Sequence, residues 1–109
     1  MTNSEALELI IHEGTAEDGM DVMTRGGEDP GRERVERLKT ALALVEQSIR
    51  GEPMINRALA EALYCLSFHM SDRVFAWLHC EWIDVYDEVL ELIEAIFEGW
   101  RPPPGGWAK

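Results

Sequence analysis

Between Val35 and Ile49, apolar side chains recur at alternating intervals of three and four residues, and this spacing limits what the chain can fold into. Residues spaced in this way lie on one side of an α-helix, so the segment predicts a helix that packs lengthwise on other helices. Ala41 and Leu44 widen the apolar side, as is typical of a helical bundle rather than a two-stranded coiled coil. The seam consists of Val35, Leu38, Leu42, Val45 and Ile49.

Turn-forming residues indicate where the long helices begin and end. Asp29 and Pro30 predict an N-cap followed by a proline in the first turn, and Gly51 predicts the end of that helix. A second long helix follows, and a cap-like break is predicted around residues 71–72. The apolar side of this second helix carries Ile55, Leu59, Leu63, Leu66 and Met70.

The first thirty residues predict a short helix and then a loop. Thr2 and Glu5 have the spacing of a capping box for a helix over about residues 4–13, and Gly14 is expected to end it. Residues 14–31 are rich in Gly, Asp and Glu, and this composition predicts an acidic loop.

The chain as a whole is therefore predicted to be all-α: a compact bundle of three main helices plus one or two short helices. The length of 109 residues suits one core, and we assign residues 1–100 to a single helical domain. Residues 101–109 include three prolines followed by two glycines, which cannot continue a helix. They predict an extended C-terminal tail.

The last helical stretch has an unbalanced charge pattern, with seven carboxylates and no Lys or Arg between Val74 and Trp100. Like charges three or four residues apart disfavour a helix and raise one another's pKa, so cationic partners are expected for this side. At helical spacing the apolar side is Trp82, Val85, Val89, Leu92, Ile96 and Trp100. The acids expected to bind a partner are Asp84, Asp87, Glu88, Glu91, Glu94 and Glu98.

Two interpretations of these acids are open. They form either a docking surface for a basic protein or a solvated face paired with Arg32, Arg34 and Arg37 of the preceding long helix. Trp107 lies beyond the triple proline, where it either folds back on the domain or anchors a partner. We include Trp107 among the predicted partner-binding residues.

Charge and composition exclude several classes of partner. The net charge of −11, from 21 acids and 10 bases, argues against direct binding to nucleic acid or to an anionic membrane. No stretch approaches 18 uninterrupted apolar residues, and the N-terminus lacks the basic region of a signal peptide. Cys65 and Cys80 lie within apolar helical stretches, as reduced cysteines do, so a cytoplasmic protein is expected.

Neither a metal site nor catalysis is predicted. Cys65 and His69 stand four residues apart on one helix, and His79 with Cys80 completes a donor set of the zinc type. However, His79 and Cys80 are adjacent, so they point to different sides of a helix, and no CxxC or HxxxH spacing is present. No phosphate-binding loop, ExxH element or activated nucleophile accompanies the acids, so no cofactor and no enzymatic activity are expected.

The leading hypothesis is a non-enzymatic inhibitor, namely a bacterial immunity protein that neutralises a basic toxin or nuclease through its acidic helix face. Small, acidic, helical proteins with that role share this size and composition. One alternative is a phage-encoded inhibitor that mimics nucleic acid against a defence effector. Another is a homodimeric or larger structural or regulatory module, in which the seam from Val35 to Ile49 would be intermolecular.

Overall fold

The computed structural model describes the backbone of residues 1–52, 54–76 and 81–99, and the side chains of residues 1–52, 54–69 and 81–98. Within these ranges the chain forms three long helices, two shorter ones and no β-strand, which confirms the predicted all-α bundle. The helices are α1 (Asn3–Thr15), α2 (Met20–Arg25), α3 (Arg32–Ile49), α4 (Arg57–Ala76) and α5 (Ile83–Gly99). No helix in these ranges is long and apolar enough to cross a lipid bilayer.

Helix α1 lies at the centre of the packing. It contacts α3 on one side and α4 on the other, and these two helices make no contact with each other within the described ranges. Helix α5 packs mainly on α3, and α2 packs on α4. The core side chains come from all five helices and include Ile10 of α1, Met20 of α2, Leu38 and Leu42 of α3, Leu63 and Leu66 of α4, and Val89 and Ile96 of α5.

The predicted seam of α3 is confirmed and is filled within the single chain. Val35, Leu38 and Leu42 have no exposed surface, Val45 is 2% exposed, and Ile49 is half-buried against the core. Burying a side chain of this size stabilises a fold by about 1.5–3 kcal/mol, so the seam is a principal source of stability.

The start of α1 is as predicted, but its end is not. The Thr2 hydroxyl accepts a hydrogen bond from Glu5 N at 3.1 Å, and Glu5 Oε1 accepts one from Thr2 N at 2.9 Å, which completes the capping box. Gly14 does not end the helix, which continues to Thr15. A Cβ at Gly14 would lie 2.6 Å from Ala62 Cα, so glycine serves here to bring α1 close to α4.

The segment predicted as a loop, residues 14–31, contains the short helix α2. A buried acid of α1 holds the first turn of α2, because Glu13 Oε1 accepts a hydrogen bond from Met20 N at 3.1 Å. This contact satisfies one of the backbone donors that a helix N-terminus leaves free. The tail at 101–109, including Trp107, lies outside the described residues.

Helix α3 begins at Arg32 rather than at Pro30. Asp29 does not cap it as predicted, because its Oδ1 accepts hydrogen bonds from Gly31 N and from the indole Nε1 of Trp82 on the approach to α5. Gly31, with φ +85°, occupies the N-cap position, in a conformation that favours glycine. The break predicted around residues 71–72 is absent, since the α4 backbone continues through them to Ala76.

Candidate protein-binding surface

The buried side of α5 agrees with the predicted apolar side, with one shift. Trp82, Val85, Val89 and Ile96 are buried as expected, whereas Leu92 is only partly buried. Tyr86 and Ile93 are buried as well, at 3% and 2% exposure. The side of α5 that packs on α3 is therefore rotated slightly about the helix axis from the predicted one. Trp100, the last residue of the predicted side, lies outside the described residues.

The six acids predicted to bind a partner are all exposed on the opposite side of α5. Two of them form ion pairs with cations of α3, and four lie beside or beyond these pairs along the helix. The paired acids are Asp84 and Glu88, and the others are Asp87, Glu91, Glu94 and Glu98. We call these six residues the acidic face.

Arg32 of α3 binds the start of the acidic face. Its Nη1 and Nη2 donate to the two carboxylate oxygens of Asp84, each at 2.9 Å, and Nη1 also donates to the backbone oxygen of Glu81 at 2.7 Å. This bidentate pair holds the pKa of Asp84 below its usual value, with hydrogen bonding to Arg32 as the main cause. The pKa of Asp84 is thus shifted in the direction opposite to the one that crowding alone predicts.

The second pair joins Lys39 of α3 to Glu88, and this contact raises the pKa of Lys39. Arg34, expected to pair with the acidic face, instead turns to Glu13 on the other side of α3. Arg37 makes no ion pair with α5 among the described residues. The hypothesis of internal pairing therefore holds for Arg32 but not for Arg34 or Arg37.

Three further acids of this face, Asp87, Glu91 and Glu94, form no such pair with α3 among the residues that the structure describes. Asp87, Glu91 and Glu94 are exposed, and no described cation forms an ion pair with them. The last turn of α5 also lacks a basic residue, although Glu94 and Glu98 lie near the negative end of the helix dipole. Each like-charged pair and each acid at that end costs the helix a few tenths of a kcal/mol.

A second polar cluster lies away from the acidic face, between α2 and α4. Asp21, Cys65 and His69 each offer one metal-ligand atom, and these atoms lie within 4.8 Å of one another. Burial is the main reason that the pKa of Cys65 is raised, and the carboxylate of Asp21 adds to the effect. The i, i+4 pair on α4 was visible in the sequence, but Asp21 was not, because only the packing of α2 on α4 brings it there.

His79 and Cys80, the other half of the donor set considered from the sequence, lie outside the described residues. Beside the cluster, the exposed rings of Tyr64 and Phe68 stack at a centroid distance of 5.3 Å. Both rings meet the edge of the His69 imidazole, at centroid distances of 6.1 and 5.6 Å. These ring contacts restrict the orientation of the imidazole.

Comparisons with known proteins identify no relative of this chain, so the two sites are interpreted from their own geometry. No protein-family model matches the chain, and searches of curated proteins and of solved structures gave no match.

Proposed function

We propose that this protein is a non-enzymatic inhibitor that binds a basic protein through the acidic face of α5. The observation that carries the proposal is a rigid helix whose outer side presents Asp87, Glu91 and Glu94 to solvent without a described cationic partner. The helix fixes the backbone spacing of these acids before a partner binds, so only their side-chain rotamers remain to be ordered at that step.

The electrostatic cost of the acidic face supports a role in recognition. Among the described residues, the α3 cations pair with Asp84 and Glu88, whereas Asp87, Glu91 and Glu94 repel one another along α5. A cationic partner would reverse this repulsion. A surface of one sign also steers a partner of the opposite sign and raises the association rate strongly at low salt.

The class of partner follows from the geometry of the charges. With a rise of about 1.5 Å per residue, Asp87, Glu91 and Glu94 are separated by roughly 6 and 4.5 Å along the helix axis. The phosphates of one DNA strand follow one another at about 3.4 Å along the duplex axis, so the acids are more widely spaced, by less than twofold. A groove lined by Lys and Arg for nucleic acid is therefore a suitable target, as in a basic toxin or nuclease.

Within this class we favour a bacterial immunity protein acting in the cytoplasm on a cognate toxin. A phage-encoded inhibitor that mimics nucleic acid would use the same face against a defence effector, so the identity of the captured partner distinguishes the two. The oligomeric alternative requires that the α3 seam be intermolecular. Val35, Leu38 and Leu42 of that seam are instead buried within one chain.

The proposal is tested by neutralising the acidic face and comparing it with an equal loss of charge elsewhere. The test variant is Asp87→Asn/Glu91→Gln/Glu94→Gln, and the control variant is Glu8→Gln/Glu17→Gln/Glu52→Gln, whose exposed acids lie outside α5. Tagged proteins are used to capture partners from a lysate of the native host. A salt gradient and mass spectrometry then identify the basic protein released.

With the purified partner, we expect the test variant to associate about 10–100-fold more slowly at low salt and to lose most of its salt dependence. The control variant should associate within about threefold of the unaltered protein. An excess of the unaltered protein should abolish the partner's activity. Equal association by the two variants, or capture of a partner that remains active when saturated, would refute the proposal.

A further inference from the structure

We propose that Asp21, Cys65 and His69 form a three-ligand site for Zn²⁺ between α2 and α4. The three donor atoms lie within 4.8 Å of one another, and one thiolate, one imidazole and one carboxylate form a ligand set that suits zinc. Magnesium and calcium prefer sites made of oxygen ligands. The inference does not depend on the acidic face or on its partner.

The main argument is the state of the Asp21 carboxylate. Asp21 is 1% exposed, and its Oδ1 has no hydrogen-bond partner among the residues that the structure describes. Its Oδ2 lies 3.2 Å from Arg25 Nη2 and 3.4 Å from His69 Nδ1, which is long for charge-assisted hydrogen bonds. A buried carboxylate paired this weakly is costly, and a cation bound at Oδ1 would remove the deficit.

The helices place the other two ligands on the same side. Cys65 and His69 are separated by one turn of α4, so their side chains project from one face. Zinc bonds of about 2.0–2.3 Å in a tetrahedron put neighbouring donors roughly 3.3–3.6 Å apart. Donors that already lie within 4.8 Å can reach this geometry through small side-chain rotations.

The surroundings suit a site with an open fourth position. The His69 side chain is 33% exposed, which gives the ion a route from solvent and leaves room for a bound water. Arg25 holds Oδ2 of Asp21 and so acts as an outer partner that orients the carboxylate. Binding would release the Cys65 thiol proton to solvent, so that the resulting thiolate joins the Asp21 carboxylate as a second anionic ligand of the ion.

The first test is titration of the metal-free full-length chain with Co²⁺ and then Zn²⁺, followed by absorption spectroscopy. We expect one equivalent of Co²⁺ to give the thiolate-to-metal charge-transfer band and the visible bands of a tetrahedral site. One equivalent of Zn²⁺ should remove them. Cys80→Ser should keep the charge-transfer band and Cys65→Ser should lose it, which separates the proposed site from one built on the second cysteine.

The second test measures zinc affinity by competition with a chromophoric chelator. Asp21→Asn and His69→Gln should each weaken zinc binding by at least about 100-fold, because each removes a direct ligand. His12→Gln is the matched control: His12 Nε2 also lies near an aspartate, 3.0 Å from Asp18 Oδ1, but outside the cluster. Its zinc affinity should be unchanged, and circular dichroism should show that every variant is helical.

Three outcomes would overturn the assignment. The first is the absence of a cobalt–thiolate band in the unaltered protein. The second is a band that survives Cys65→Ser but is lost in Cys80→Ser. The third is a zinc affinity of Asp21→Asn within about threefold of the unaltered protein.

Discussion

Two buried acids on either side of the same short turn, Glu13 and Asp21, illustrate different uses of a buried charge. Glu13 is 5% exposed, and its two carboxylate oxygens accept three hydrogen bonds, two from Arg34 at 2.6 and 2.7 Å and one from Met20 N. Asp21 is 1% exposed, and among the described residues it has two long contacts at Oδ2 and no hydrogen-bond partner at Oδ1.

The difference lies in what each carboxylate holds together. The Glu13 carboxylate joins three helices, because it begins α2 and fixes Arg34 of α3 to α1. Arg34 also donates to the backbone oxygen of Asp18 at 2.8 Å, and its pKa is raised chiefly by Glu13. Among the described residues, the Asp21 carboxylate makes only two long contacts, with Arg25 of its own helix and with His69 of α4. A satisfied buried acid is typical of a structural role, whereas an unsatisfied one requires another explanation, which the proposed zinc site supplies for Asp21.

The largest expected effect is that of Glu13→Gln. The variant keeps the shape of the side chain but removes the charge that Arg34 requires, and we expect it to lower the free energy of unfolding by about 3 kcal/mol. Urea denaturation followed by circular dichroism measures the change. Glu17→Gln, at an exposed site nearby in the chain, should change stability by less than about 0.5 kcal/mol. An equal loss of stability in Glu13→Gln and Glu17→Gln would contradict a structural role for Glu13.

A second substitution tests how strongly the stability of the protein depends on the close approach of α1, which carries Glu13, to α4. Gly14→Ala places a Cβ 2.6–2.7 Å from backbone atoms of Ala62, so the helices must separate, at a cost of about 2 kcal/mol. Gly26→Ala is the matched control, because φ is −80° there and the nearest atom, Met23 O, is 3.5 Å away. Thermal unfolding should show a clear loss for the first variant and no loss for the second.

The comparison predicts a much smaller effect for Asp21→Asn in metal-free protein. Since Oδ1 has no hydrogen-bond partner among the described residues and Arg25 is half-exposed to water, removing the charge should change the free energy of unfolding by about 1 kcal/mol or less. Urea denaturation of Asp21→Asn and Glu13→Gln in parallel, both in the presence of a chelator, provides the measurement. A loss as large as that of Glu13→Gln would mean that Asp21 is structural.

The exposed pair between Arg32 and Asp84 should have the smallest effect and a defined pH dependence. Because the folded-state pKa of Asp84 is lowered, its stabilisation is present above the unfolded-state pKa, near 4, and is lost as the pH falls through the lowered value. Asp84→Asn should therefore melt slightly below the unaltered protein at pH 6, and the two melting temperatures should converge in acid. A constant difference at all pH values would contradict this pairing.

Regular features of the fold could be predicted from the sequence because they depend on local spacing. The seam of α3 repeats over four helical turns, and Thr2 and Glu5 lie three residues apart, so neither depends on distant parts of the chain. Of the predicted buried side of α5, four of the five described residues are buried; Leu92 is only partly buried, while Tyr86 and Ile93 are buried in addition. The exposure of the acidic face followed from the same periodicity.

The features that were missed depend on contacts between distant residues. Asp29 has the local signature of a helix cap, but its carboxylate is bound by the indole of Trp82. Gly14 has the signature of a helix end, yet the residue fits a close contact with Ala62. Asp21 has the signature of one more acid in a loop, and only the packing of α2 on α4 buries it and brings it to Cys65 and His69.

The central position of α1 has a consequence for how the chain is synthesised. This helix emerges from the ribosome before the other four, but α4, one of the two helices that it separates, begins only at Arg57. Until then one apolar side of α1 has no native surface to cover it, so an incomplete chain exposes what the finished protein buries. Folding must therefore wait for α4, and translation that pauses before Arg57 would leave the nascent chain vulnerable to aggregation and proteolysis.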